Sequence, residues 1–201
     1  MPSLVPDALP AGKINGSEQP VLAVRDGVML RPWQMSDSGF LMDAFRDPGI
    51  IRWYARTMAD RSEAELWIQR WHDRWAREVG AGWVIESDGT AVGQAHIRDL
   101  SLSDGLGRFS CWVVPTARRR GFRTQACQRL VRWAFDDIGL NRLESTHSTQ
   151  NPRACDAAVK AGFPYEGTLH RKALYPDGWH DLHLHAIVNE NSGDFQEEQP
   201  L

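Results

Sequence analysis

Residues 110–137 read SCWVVPTARRRGFRTQACQRLVRWAFDD, and this stretch decides the fold. Phe109 to Val114 is apolar and β-branched enough for a buried strand. Pro115 offers no ladder donor and ends it. Three arginines run into Gly121, and from Thr124 onward Cys127, Leu130, Val131 and Ala134 recur at helical spacing. The order is strand, basic glycine-bearing turn, helix. The first amides of a helix lack intrahelical partners and the helix dipole favours an anion there. Gly121 lets a ligand approach the backbone, and Arg118, Arg119, Arg120 and Arg123 add charge. A solvated basic loop is the plainer alternative, and composition alone leaves both open.

With 201 residues, 42% hydrophobic and 24% charged, the chain is long enough for one domain with an ample core. A net charge of −3 gives no electrostatic case for a nucleic-acid partner. No apolar run approaches the roughly 20 residues that span a bilayer, so no membrane partner is expected. Residues 1–20 lack the basic and apolar regions of a signal peptide, and their Pro, Gly and polar content predicts a flexible leader. Cys111, Cys127 and Cys155 sit in apolar patterns and read as reduced core thiols of a cytoplasmic protein.

The remaining elements follow in order. A first strand at Met29-Leu30-Arg31 is preceded by the break Asp26-Gly27. Ser36-Asp37 caps a helix that ends at Pro48-Gly49. Ser62-x-x-Glu65 forms a capping box for a second helix, along which Trp67, Trp71 and Trp75 fall every four residues. Asp88-Gly89 joins two strands, the strongest hairpin signal in the chain. Leu100 to Gly107 reads as a loop. Gly139 closes the central helix, and Arg142 to Ser148 forms another strand. Asn151-Pro152 starts a helix that Gly162 ends. A last hairpin, Tyr165–Leu174 with Trp179–Val188, turns at Pro176-Asp177-Gly178, and residues 191–201 form an acidic tail.

Val113-x-Pro115-x-x-Arg118-x-x-Gly121 resembles motif A of the GNAT superfamily, the acetyl-CoA-dependent N-acyltransferases. Arg123 stands where that family usually has Gly or Ala. Arg31-Pro32-Trp33…Asp37 resembles the start of the RimJ/RimL branch, and Gly93-Gln94-Ala95 resembles the family's middle strands. Asn151…Ala161-Gly162-Phe163-x-x-Glu166-Gly167 and Asp177-Gly178-Trp179-His180-Asp181 fit the same branch. The likeness runs from about Val24 to Asn189. It implies an α+β fold: a single domain over 21–190, with a mixed, mostly antiparallel sheet splayed at the acetyl-CoA site and flanked by helices.

The resemblance also implies roles. Acetyl-CoA, the expected co-substrate, would be held by the backbone of Trp112, Val113 and Val114, by the turn Arg118, Arg119, Arg120, Gly121, Phe122, Arg123 and Thr124, and by Asn151. An amine nucleophile must lose a proton, and Glu144, inside an apolar strand, is the first candidate base, with ion pairing to Arg142 or Arg119 as its plainer role. His147 falls on the opposite face of that strand. Relatives carry hydroxyls where this chain has Ala154 and Ala158, so Tyr175 is the candidate acid. Trp53, Tyr54, Trp67, Trp71 and Asp181 are the candidate acceptor contacts, although a tryptophan stripe is more often core. His183 and His185 share one strand face and read as core histidines rather than metal ligands; no metal is expected. The partners implied are an amine acceptor, at a protein N-terminus or on a small molecule, with a homodimer left open. A catalytically silent CoA-binding module is the alternative, and a longer-chain acyltransferase a weaker one.

Overall fold

Hairpin turns and helix caps settle most of the element boundaries in the computed structural model, which describes residues 4–190. The strands are β1 (Leu22–Arg25), β2 (Val28–Pro32), β3 (Gly80–Ser87), β4 (Thr90–Ser101), β5 (Leu106–Val113), β6 (Arg142–Ser148), β7 (Tyr165–Tyr175) and β8 (Gly178–Val188). The helices are α1 (Ser38–Ala44), α2 (Pro48–Tyr54), α3 (Arg61–Ala76), α4 (Phe122–Arg132), continued by a π-helical turn over Trp133–Ile138, and α5 (Pro152–Lys160). The strands form one sheet in the order β1-β2-β3-β4-β5-β6-β8-β7. Every pairing is antiparallel except β5 with β6, so the expected α+β class and mixed, mostly antiparallel sheet are what forms.

That parallel pair is short. It holds only at Leu106↔Arg142, Gly107↔Leu143 and Arg108↔Glu144. From Phe109 onward β5 stays with β4, while β6 stays with β8 through Ser148↔Leu182. The sheet therefore opens into a gap between Phe109–Val113 and Ser145–Ser148.

Local chemistry explains the boundaries. Asp88 (φ 49°) and Gly89 (φ 75°) both sit in the left-handed region, as a two-residue type I′ turn requires. Asn151 caps α5 by accepting from the Ala154 N–H at 3.3 Å. The cap of α3 lies two residues before the expected one. Asp60, not Ser62, is the cap: it accepts from the Glu63 N–H at 3.0 Å, and Glu63 in turn accepts from the Ala59 N–H at 2.8 Å. α2 was not anticipated. Pro48-Gly49 reads in the sequence as a helix end, but Asp47 accepts from the Ile50 N–H at 2.9 Å with Pro48 at the first helical position, the same signal as Asn151-Pro152. β4 and β5 extend into the stretch expected as a loop, leaving only residues 102–105 between them.

Within the stretch expected as a flexible leader, residues 8–19 lie against the domain. Ile14 is buried, and the N–H groups of Gly12 and Ile14 donate to the Glu78 carboxylate at 2.8 and 2.7 Å. The acidic tail, residues 191–201, lies outside the described residues. Among the described residues no helix is long and apolar enough to cross a membrane.

The tryptophan stripe of α3 is core. Trp71 is 2% exposed and lies flat over Gly82 of β3, where an added Cβ would meet its ring at 2.6 Å. Trp75 packs edge-on to Trp83 and against Trp133, with centroids 6.3 and 6.1 Å away. Trp67 meets Phe45 at 5.7 Å. The small residue and the large ring are thus one packing unit. Gly82→Val should drive the added side chain into the indole and cost about 2 kcal/mol, lowering Tm by roughly 5 °C. Trp71→Leu in the same chain should recover part of that loss, because room reappears above residue 82. Thermal denaturation of the single and double variants checks this, and an unshifted Gly82→Val would refute the packing argument.

Candidate functional site

The gap between β5 and β6 opens into a cleft of about 580 Å³, within the usual range of a small-molecule site. The turn after β5 and the start of α4 form its head, and one side of α5 forms a wall. Trp53 and Tyr54 of α2, with Tyr175 at the end of β7, close the far side. Because β5 leaves β6 after Arg108, alternate backbone N–H and C=O groups of Phe109–Val113 face the gap without a ladder partner there.

Charge is distributed unevenly around this space. Arg119, Arg123, Arg153 and Lys160 line the cleft and have no ion-pair or hydrogen-bond partner among the described residues. Asp156 is the one carboxylate in the lining. Gly121, with φ 81°, is the residue from which α4 starts, so the first amides of an eleven-residue helix point at the head of the cleft. The turn is braced from behind. Arg118 donates to the Val113 carbonyl at 3.1 Å and to Asp47 at 2.6 Å. Arg119, also lining the head, adopts φ 65°, a left-handed conformation rare for a residue with a side chain. Unpaired cations and a helix start thus share the head of the cleft, an arrangement that suits an anion.

At the other end the groups are aromatic and neutral. Tyr54 donates to or accepts from Ser110 Oγ at 2.8 Å, and burial pushes its phenol up to about 12. Burial likewise raises the Cys111 thiol to about 12, so it stays protonated. Tyr175 stacks on His180 with centroids 4.4 Å apart and meets Trp53 edge-on at 6.2 Å; burial raises its phenol too.

The expected contacts divide cleanly. Trp112, Val113, Arg118, Arg119, Gly121, Phe122, Arg123, Thr124 and Asn151 all line the cleft, as do Trp53, Tyr54 and Tyr175. The Trp112 indole turns away from it and packs on Phe40 at 5.8 Å, and its carbonyl lies beside Gly93 of β4. Val114 does not line it; its amide donates to Val92 O. Arg120 does not either, and lies over the Phe122 ring at 5.0 Å. Trp67 and Trp71 are absent from the lining because they belong to the core described above.

Glu144 is not brought to the cleft. It lies on the other sheet face, where its carboxylate accepts from Arg142 at 3.1 Å and from Arg108 at 3.4 Å, an ion-pair role. Asp181 is also elsewhere. It accepts from the Arg171 N–H at 2.7 Å and from His170 at 3.0 Å, and these contacts hold its carboxyl below the usual range.

Sequence reading missed one arrangement. Ser148, in the cleft lining, places its Oγ 2.8 Å from His180 Nδ1, and His180 Nε2 lies 3.0 Å from Asp177 Oδ1. Asp177 and His180 were quoted only as parts of a turn motif. Ser148 sits at the end of β6, 32 residues away in sequence, and only the β6–β8 pairing brings it near.

Comparison with known proteins agrees with this geometry. Residues 28–164, more than half of the chain, match the family model described as Acetyltransferase (GNAT) domain. The chain is 25% identical over 167 residues to a Bacillus subtilis protein named uncharacterized N-acetyltransferase YoaA, covering 81% of this chain and 94% of that one. In fold it is similar to RimL, a ribosomal L7/L12 alpha-N-protein acetyltransferase solved with coenzyme A, with TM-score 0.76 and 14% identity over 84% of this chain and 98% of that one. It is also similar to the spermidine N-acetyltransferase of Vibrio cholerae, solved with CoA and spermine, with TM-score 0.72 and 16% identity over 82% and 97%. The strand–turn–helix at residues 109–132, the opened sheet and the family match together make this chain a member of the GNAT acetyltransferase family.

Proposed function

We propose that the chain is an acetyl-CoA-dependent N-acetyltransferase that passes the acetyl group directly to a primary amine, on a protein N-terminus or a small molecule. The observation that carries this is the opened β5–β6 gap headed by unpaired guanidiniums at the start of α4. The amides of Phe122 to Thr124, with Arg119 and Arg123, suit a pyrophosphate. The free edge of β5 suits an extended pantetheine arm, with Asn151 across from it. A β5 amide donating to the thioester oxygen would stabilise the charge that develops there as the amine attacks.

The attacking nitrogen forms a bond to the carbonyl carbon, the carbon–sulfur bond breaks, and one proton must leave nitrogen while one reaches sulfur. Glu144 is too far round the sheet to take the first proton. The Ser148–His180–Asp177 chain is better placed. Asp177 accepts from His180 Nε2–H, which leaves Nδ1 as an acceptor for the hydroxyl of Ser148, a residue of the cleft lining. Tyr175, whose raised phenol stays protonated, is the group placed to donate to the departing thiolate. Trp53 and Tyr175 give the acceptor end an aromatic wall, which favours an amine carrying an apolar or aromatic part beside the nitrogen.

A CoA-release assay against a panel of peptides and amines tests the activity; a chain that binds acetyl-CoA but releases none with any acceptor is a silent module instead. Gly121→Val should weaken acetyl-CoA binding more than tenfold, because a β-branched residue cannot hold φ 81° and would displace the helix start. Unchanged calorimetric affinity refutes the proposed pyrophosphate site. Ser148→Ala and His180→Gln should each lower kcat by roughly 100-fold with acetyl-CoA affinity intact. Wild-type turnover in either, at wild-type stability, removes the relay from the mechanism. Trp53→Ala should raise the acceptor KM about tenfold while leaving the acetyl-CoA KM unchanged. An unmoved acceptor KM would take Trp53 out of the acceptor site.

A further inference from the structure

Four metal-binding side chains converge beneath the α5 wall of the cleft. His147 of β6 is the cross-strand partner of His183 on β8, and His185 follows two residues on, so all three imidazoles stand on one face of the sheet. Cys155 comes down from α5 onto the same face. One ligand atom from each of the four lies within 4.8 Å of every other. No ion is present. His183 and His185 were expected as ordinary core histidines, and the hydrogen bonding of the cluster supports a different proposal. A core imidazole normally satisfies both nitrogens, and His183 Nδ1 and His147 Nε2 are buried without a partner among the described residues.

His147 Nδ1 faces the Ser148 carbonyl at 3.1 Å and His185 Nδ1 faces the Phe163 carbonyl at 3.0 Å. A carbonyl only accepts, so both Nδ1 atoms carry the proton and both Nε2 atoms keep a lone pair. His185 Nε2 turns that lone pair towards Cys155 Sγ, 3.6 Å away. His147 Nε2 and His183 Nδ1 are buried and have no hydrogen-bond partner at all among the described residues, although His147 is only 8% exposed. An imidazole whose outer nitrogen is fixed by a backbone carbonyl and whose inner nitrogen is left bare is the arrangement of a metal-ligating histidine.

We propose that His147, Cys155, His183 and His185 form a structural zinc site. Tetrahedral coordination at the usual Zn–N and Zn–S lengths sets neighbouring ligand atoms roughly 3.3–3.6 Å apart, and the His185–Cys155 edge already has that length. The remaining edges close by small rotations of side chains that have no other partner to give up. Three imidazoles and one thiolate suit Zn²⁺, and a set of four protein ligands leaves no open position for a reacting water. Tyr165 lies against His183 and His185, with centroids 5.1 and 5.7 Å away, and shields one side. Cys155 and His183 are half-buried, which provides a way in. The ion would fasten α5 to the β6–β8 pair, adding a cross-link where only the small side chains of the helix now meet the sheet.

The full chain, with any affinity tag removed, is to be loaded with zinc, dialysed and analysed for metal by mass spectrometry. About one zinc per chain is expected, and Co²⁺ in its place should give the intense visible bands of a tetrahedral site with a thiolate charge-transfer band. Zinc at a hundredfold excess over Kd should raise Tm by roughly 5–10 °C. Cys155→Ser and His183→Gln should each weaken zinc binding more than about 100-fold. Wild-type protein that retains well under a tenth of an equivalent (~0.1), or whose Tm ignores zinc, overturns the proposal. So does a folded Cys155→Ser variant that keeps the full metal content. Should both variants fail to fold, the stoichiometry and the cobalt spectrum of the wild-type chain decide it. Because none of these readouts is acetyl transfer, the site stands or falls independently of the proposed activity.

Discussion

The structure depends on how briefly β5 and β6 stay together. A buried strand edge normally finds a ladder partner for every backbone group, since an unpaired amide away from water costs about as much as a lost hydrogen bond. Here three residues of parallel pairing are followed by a gap, and the surroundings hold that gap open. Pro115 stops β5 and a tight 3-10 turn over Pro115–Ala117 swings the chain towards α4. Arg118 fixes the turn through the Val113 carbonyl and through Asp47. The same Asp47 oxygen that accepts from Arg118 also caps α2. One carboxylate therefore ties the arginine-rich turn to the helix that carries Trp53 and Tyr54, so the two ends of the cleft keep a fixed relation.

Net charge concealed the character of this cleft. The chain is negative overall, yet four unpaired cations face one carboxylate inside the gap. The acids are used elsewhere: Asp37 and Glu86 on Arg31, Glu144 and Glu166 on Arg142, Asp99 on Arg98 and Arg108. Local placement decides the potential that a ligand meets, because fields from exposed charges beyond a Debye length are screened. Arg123 illustrates this. It replaces the small residue expected from the resemblance and reaches inward far enough to bias the protonation of Tyr54, Cys111 and His147.

Legibility in the sequence followed the range of the forces involved. The Asp88-Gly89 hairpin, the Asn151 cap and the strand–arginine–glycine–helix order are set by a few neighbouring residues, and each was readable. Asp60 was passed over for Ser62 because two adjacent capping patterns compete, and only the incoming chain direction selects one. Pro48 looked like a stop because the same residue type both ends a helix and starts the next. Glu144 looked buried from its apolar strand, but Arg108, its second ion-pair partner, lies 36 residues away on the neighbouring strand. The Ser148–His180 contact and the histidine–cysteine cluster depend on the β6–β8 register, which pairs residues more than thirty positions apart. No local spacing encodes that pairing.

α5 shows how these separate features meet. Its first residues face the cleft through Asn151, Arg153 and Ala154, while Cys155, one step round the helix, points at the histidines below. Helical geometry puts adjacent residues about 100° apart, so one short helix can serve two sites on different sides. Ala154 and Ala158 lack the hydroxyls that the resemblance implies at those positions, so this helix supplies no hydroxyl to the cleft. The hydroxyls proposed to move protons there come from β6 and β7 instead, at Ser148 and Tyr175. A helix freed from proton chemistry but still forming the wall needs to be held rather than tuned. With only small residues on its buried face, hydrophobic contact holds it weakly, roughly 25 cal/mol for each Å² covered. A metal bridge from Cys155 to β6 and β8 is the kind of constraint that makes such a wall rigid.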